Sequence, residues 1–111
     1  MSAVWVYVTT SDQEEAENIG QILVEARLAA CANVLGPITA IYWWEEKVER
    51  SCEASLIIKS RADLLDAVTE KIKNIHSYDC PCIVALPIKG GSSNFLDWLE
   101  EETRKPATNV G

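Results

Sequence analysis

The residues best suited to chemistry lie close together in the second half of the chain, in the run His76-Ser77-Tyr78-Asp79-Cys80-Pro81-Cys82. Cys80 and Cys82 stand two apart, so an extended backbone turns both side chains to the same side. His76 is near enough in the loop to join them, and two thiolates with an imidazole favour Cu(I) or Zn(II) over Mg or Ca. Cys31, which ends the first predicted helix, approaches this loop if its strand runs alongside. The metal-ligand candidates are therefore Cys31, His76, Cys80 and Cys82, with Cu(I) or Zn(II) as the ion and no obligatory cofactor. The same residues also have a purely structural use. An imidazole near a helix C-terminus is favoured by the helix dipole, thiols pack as small apolar groups, and one His beside a Cys-x-Cys falls short of a full zinc ligand set. His76 is the only histidine, so a Ser-His-Asp set is excluded. A cysteine nucleophile with His76 as base is arithmetically available, but no spacing supports it, and an enzyme is not expected.

Other side chains carry similar pairs of uses. Lys59 closes an apolar strand, where it either binds an anion in a cleft between subunits or snorkels to solvent. Tyr78, in the His76 loop, shares that cleft wall. Trp5, Tyr7, Tyr42, Trp43 and Trp44 are large rings on strands, suited to an interface core or, for the last three, to a ligand platform. Glu45, Glu46 and Glu49 form an acidic tip suited to plain solvation.

The elements that must position these groups follow from hydrophobic periodicity. Residues 3–9 alternate Val4/Val6/Val8 with Trp5/Tyr7/Thr9, which predicts a central strand. Ser11-Asp-Gln-Glu14 has capping-box form and opens a helix whose stripe is Ile19, Leu23, Ala26 and Ala30, with Gly20 weakening it by up to about 1 kcal/mol. Gly36-Pro37 predicts a turn or bulge. Residues 38–58 then predict a long β-hairpin reversing at Glu45-Glu46-Lys47. Ser60-Arg-Ala-Asp63 reads as the cap of a second helix with the stripe Leu64/Leu65/Val68/Ile72/Ile75. Ile83–Leu86 predicts a fourth strand, closed by Pro87. A short helix follows with Phe95, Leu96, Trp98 and Leu99, and the tail frays from Lys105. The order β-α-β-β-α-β plus an extra C-terminal helix predicts an α+β, ferredoxin-like sandwich, two helices on one face of an antiparallel sheet. The apolar second face predicts association between subunits, unless the third helix and tail cover it.

Length and charge bound the function. The 111 residues suit one domain spanning 1–111. The net charge of −7, with no Lys/Arg cluster, argues against nucleic acid. No apolar run approaches the ~20 residues of a membrane span. The opening Met1–Trp5 run enters a strand pattern without a basic leader region, which predicts a cytoplasmic address and reduced thiols for Cys31, Cys52, Cys80 and Cys82. Two chemistries familiar from this element order are absent from the first βα loop, Thr9-Thr10-Ser11-Asp12. It has no Cys-x-x-Cys to grip a soft metal and no glycine or basic residue to cradle phosphate.

Several segments in order resemble the CutA family of divalent-cation tolerance proteins. They are Arg27-Leu-Ala-Ala-Cys31-Ala-Asn33, Ile41-Tyr42-Trp43-Trp44 with Lys47, Leu56-Ile-Ile-Lys59-Ser60, His76-x-Tyr78-x-x-Pro81, Ala85-Leu86-Pro87 and Phe95-Leu-Asp-Trp98. The resemblance implies a ferredoxin-like subunit, a homotrimer built through long hairpins, a non-enzymatic role in tolerance of copper or other divalent cations, and kinship with trimeric PII signalling proteins. That kinship suggests a sensor of a small anionic metabolite as the alternative, and a structural hub for a partner protein is the third reading. Three positions depart from the family pattern. Glu46 stands where Gly is frequent, which implies strain or another turn. Ser77 replaces a usual Pro, and Cys82 replaces an acidic residue after Pro81.

Overall fold

Val4, Val6 and Val8 decide where the core lies. In the computed structural model, which describes residues 2–107, they sit on the middle strand and are buried, with Val6 and Val8 fully so. The elements run β1 (Ala3–Thr10), α1 (Gln13–Glu25), β2 (Cys31–Trp44), β3 (Lys47–Arg61), a 3-10 turn (Ala62–Leu64), α2 (Leu65–Ile75), β4 (Ile83–Ile88) and α3 (Ser93–Arg104). The strands form one antiparallel sheet in the order β2-β3-β1-β4, the ferredoxin-like arrangement with one added helix. Directly paired residues share a face of the sheet. The register Val6↔Ile58↔Ala32 and Val8↔Leu56↔Val34 therefore gathers these side chains under Ile19 and Leu23 of α1 and Val68 and Ile72 of α2. Pro87 lies inside β4 and not after it. That strand is at the sheet edge, where a residue without an N–H is tolerated.

The boundaries differ from the sequence expectation at four further places, each with an identifiable cause. The N-cap of α1 is Asp12, one residue later than the Ser11/Glu14 box predicts: Asp12 Oδ1 accepts from Glu15 N at 2.8 Å. The helix also stops before Ala30. Arg27 takes φ 62°, Leu28 N bonds Leu23 O at 3.0 Å and Arg27 N bonds Val24 O at 3.0 Å, the pattern of a Schellman ending. Glycine usually fills that position. Here Arg27 Nη1 is tied to Glu102 Oε1 of α3 at 2.7 Å, a contact invisible in local sequence. Consequently β2 starts at Cys31, and the hairpin arms run from 31 to 61, with a register shift between Leu35 and Ile38 at Gly36-Pro37. Finally, Ser60 is no helix cap: it is buried in β3, and its hydroxyl donates to Leu28 O at 2.7 Å. Gly20 has a packing reason, since a Cβ there would lie 3.0 Å from Ala32 Cβ.

The second face of the sheet carries Trp5 and Tyr7 of β1, Ile57 and Lys59 of β3, Cys31 of β2, and Val84 and Leu86 of β4. Helix α3 covers one end of it, packing Leu99 and Leu96 on Ala3, Ala30 and Ile88. Lys105, where fraying was expected to begin, is tied by Nζ to Glu102 Oε2 at 2.8 Å; the tail beyond Ala107 lies outside the described residues. The rest of the face is open, with Leu86 55% exposed.

At the hairpin tip Trp44 pairs with Lys47, leaving a two-residue turn of Glu45 (φ 50°) and Glu46 (φ 65°). This is the sign pattern of a type I′ turn, where Asn-Gly is preferred because both residues need positive φ. Glu46 therefore accepts the left-handed conformation and does not evade it. Glu46→Gly is expected to stabilise the protein by about 1 kcal/mol, read as a higher urea midpoint. An unchanged midpoint would show that the turn stores no strain.

Candidate functional site

The loop that follows α2 is held in place by groups at the start of α1. Glu15 reaches back to Ser11, accepting from its N–H and its hydroxyl at 2.9 Å each. It also accepts from Ser77 N at 2.7 Å and Ser77 Oγ at 3.0 Å. Burial works against the charge of Glu15, yet the bonds from Ser11 and Ser77 outweigh it and hold the carboxyl below the usual carboxylate range. The departure at Ser77 now has a use: proline at that position would offer Glu15 no N–H. His76 is wedged beneath. Its Nε2 lies 2.8 Å from Thr9 O and its Nδ1 accepts from Tyr78 N at 3.0 Å. Nε2 must therefore carry the proton, and neither nitrogen keeps a lone pair for a cation.

Fixed in this way, the loop forms one wall of a cleft of about 570 Å³ lined by Thr9, Ala40, Tyr42, Trp43, Trp44, Glu53, Tyr78, Asp79, Cys80 and Cys82. The hairpin arms supply the opposite wall. Glu53 is only 7% exposed. Ser51 Oγ donates to its Oε2 at 2.8 Å, and the Tyr42 hydroxyl lies 3.4 Å from the same Oγ. Burial, the adjacent Glu53 carboxylate that accepts the phenol's hydrogen bond, and neighbouring Tyr42 and Glu15 push Tyr78 up to about 12. The Cys82 thiol is raised by burial and by Glu53, partly offset by a hydrogen bond from Thr9.

The candidates from sequence divide accordingly. Cys80, Cys82, Tyr78, Tyr42, Trp43 and Trp44 meet at this cleft. His76 stands behind it with both nitrogens engaged by backbone. Cys31 pairs with Lys59, and Lys59 with Trp5. That level is four β1 residues from Thr9, about 13 Å along a strand. Lys59 Nζ instead lies 5.5 Å from the Phe95 ring centroid. Burial raises the Cys31 thiol, with Lys59 opposing. Among the described residues, no three His, Cys, Asp or Glu side chains converge as a metal site. Trp5 and Tyr7 lie on the open sheet face and not in the cleft.

The segments shared with known proteins can now be set against this geometry. A family model described as CutA1 divalent ion tolerance protein matches residues 4–102. This chain belongs to the CutA1 family. A rice protein named CutA 1, chloroplastic, is 45% identical over 103 residues, covering 93% of this chain but 58% of its own length. The divalent-cation tolerance protein CutA of Archaeoglobus fulgidus is 43% identical over 97 residues, 87% of this chain and 94% of its own. Among solved structures, CutA1 from Oryza sativa superposes with a TM-score of 0.91 at 44% identity, covering 95% of this chain and 96% of that one. The CutA1 family assignment thus extends over the whole cleft, from Thr9 to Cys82. No helix among the described residues is long and apolar enough to cross a membrane.

Two residues of this CutA1 chain that matter to the cleft were not singled out from sequence. Glu53 carried one available signal, a carboxylate inside a hairpin arm; that it shares the face of Thr9 follows from the β1–β3 register. Glu15 is masked in the sequence by its neighbour Glu14, which fits the capping pattern from Ser11. Glu15→Ala is expected to cost about 1–2 kcal/mol through the lost charged hydrogen bonds and to loosen the loop. Because the folded-state pKa is lowered, the contribution is full above the ordinary carboxylate range and vanishes as pH falls through the lowered value. Urea melts should show the gap between wild type and variant closing on acidification. A pH-independent gap would mean that Glu15 acts through packing.

Proposed function

We propose that the protein acts as a non-enzymatic homotrimer that binds soft or divalent cations, copper among them, in the cleft between hairpin and loop, and so contributes to metal-ion tolerance. The observation that carries this reading is the charge of the cleft. Its lining includes two carboxylates, Glu53 and Asp79, and two thiols, Cys80 and Cys82, with no Lys, Arg or His. Such a wall attracts cations and repels the anionic metabolite of a PII-like sensor. Lys59, the cation that the sensor reading needs, lies at the other end of the sheet. The thiolates select a soft ion, and a neighbouring subunit completes a shell that one subunit leaves short of three converging donors.

The trimer is supported by the open apolar surface. Besides the uncovered sheet face, the hairpin presents Ile41, Trp43 and Val48 on one face and Tyr42 and Trp44 on the other, with Trp43 74% and Trp44 50% exposed. Exposed apolar surface of this extent marks an association surface. The chloroplastic name of the rice relative belongs to that protein; for this chain the proposed address is cytoplasmic, where thiols stay reduced.

Sedimentation at micromolar concentration should give a species of three times 12.3 kDa. Trp44→Asp should dissociate or unfold it, because the substitution buries a charge in the interface. A monomeric wild type overturns the trimer. For the cation, competition against a Cu(I) chelator under reducing conditions should show Cys80→Ser and Cys82→Ser each weakening binding by about tenfold or more. Cys52→Ser and Cys31→Ser should leave it unchanged. Affinity should fall as pH drops, since the raised Cys82 thiol must lose its proton to bind. Equal affinities across the four variants would make the thiols packing residues.

A further inference from the structure

The thiols account for one wall of the cleft only. Tyr42, Trp43, Trp44 and Tyr78 form much of the rest, and the face of a ring offers no lone pair to a metal ion. At its base lies Glu53, more than nine-tenths buried. Its carboxylate accepts from Ser51 Oγ at 2.8 Å and from the Tyr78 phenol, both neutral donors. No ion pair among the described residues involves Glu53 or Asp79. A buried carboxylate without a cationic partner is costly. The surrounding faces are suited to a cation that is large, weakly hydrated and apolar around its charge. A space of about 570 Å³ falls within the range typical of small-molecule sites, about 300–1,000 Å³.

We propose that this cleft is a binding site for a compact organic ammonium ion. The ammonium head lies against the Tyr42 and Tyr78 rings, and Glu53 and Asp79 serve as its counter-charges. The inference rests on the cationic preference of the same cleft and assigns it a second ligand class. Metal and ammonium then share the carboxylates but use different walls.

The experiment uses the full chain in its native assembly, with a metal chelator and reductant present. Choline is the cationic probe and 3,3-dimethyl-1-butanol its uncharged isostere. Tryptophan fluorescence and calorimetry should show saturable binding of choline, about tenfold or more tighter than the isostere. Choline alone should raise the melting temperature. Glu53→Gln should remove most of that discrimination, while a Cys80→Ser/Cys82→Ser double variant retains it and loses copper. Equal affinity for the two probes, or no saturable binding of either, overturns the proposal. The wild-type discrimination stands as a test even if Glu53→Gln fails to fold. If copper binding persists while choline fails, only the ammonium site falls; if both fail, the cation reading of the cleft falls with it.

Discussion

Val6 lies opposite Ile58 at the centre of the sheet, with Ala85 on its other side, and the register set there sorts the chain into two populations. Because strand side chains alternate, a slip of one residue would exchange Val4, Val6 and Val8 for Trp5, Tyr7 and Thr9 beneath the helices. The small β-branched set fits under Ile19, Leu23, Val68 and Ile72. The large rings do not, so the register is selected by volume as well as by hydrophobicity. Everything functional follows from the exclusion of those rings and of Glu53 to the opposite face.

That opposite face is then divided along its length. At one end α3 packs Leu99 and Leu96 over Ala3, Ala30 and Ile88, and its Glu102 secures Arg27 in the left-handed conformation that ends α1. At the other end the hairpin arms rise from Glu53 towards Trp44, and the loop from His76 to Cys82 comes up beside them. Arg61 joins the two layers, donating to Thr103 Oγ1 at 2.9 Å and to both oxygens of Asp63. A buried guanidinium of this kind needs all its partners in place, so α3 is an integral part of the fold.

The cleft inherits its chemistry from this division. The histidine of the loop is consumed in building the wall, since its two nitrogens hold the β1 carbonyl and the Tyr78 amide. What faces inward is acidic, thiol-bearing and aromatic. The departures from the family pattern fit that arrangement unequally. Ser77 contributes an N–H and a hydroxyl to Glu15, and Glu46 adopts the positive φ that glycine would adopt freely. Cys82 places a partly desolvated thiol beside Glu53, and both the desolvation and the carboxylate disfavour its charge.

The order of elements, the two-faced sheet, the long aromatic hairpin and the nearness of Cys80 to Cys82 were all legible in the sequence. Each is encoded by local periodicity or by neighbours a few residues apart, and local sterics decide them. The end of α1 at Glu25, the start of β2 at Cys31 and the burial of Ser60 were not legible, because each depends on a partner far along the chain: Glu102, Lys59 and Leu28 respectively. The same holds at the site. Spacing placed His76 with the two thiols, but Thr9, 67 residues away, took its Nε2 instead. Glu53 entered the cleft only because the pairing of β1 with β3 put its face beside Thr9. Sequence alone specified which residue types the loop offers. Which of them face the cleft was decided by hydrogen-bond partners that only the folded sheet brings within reach.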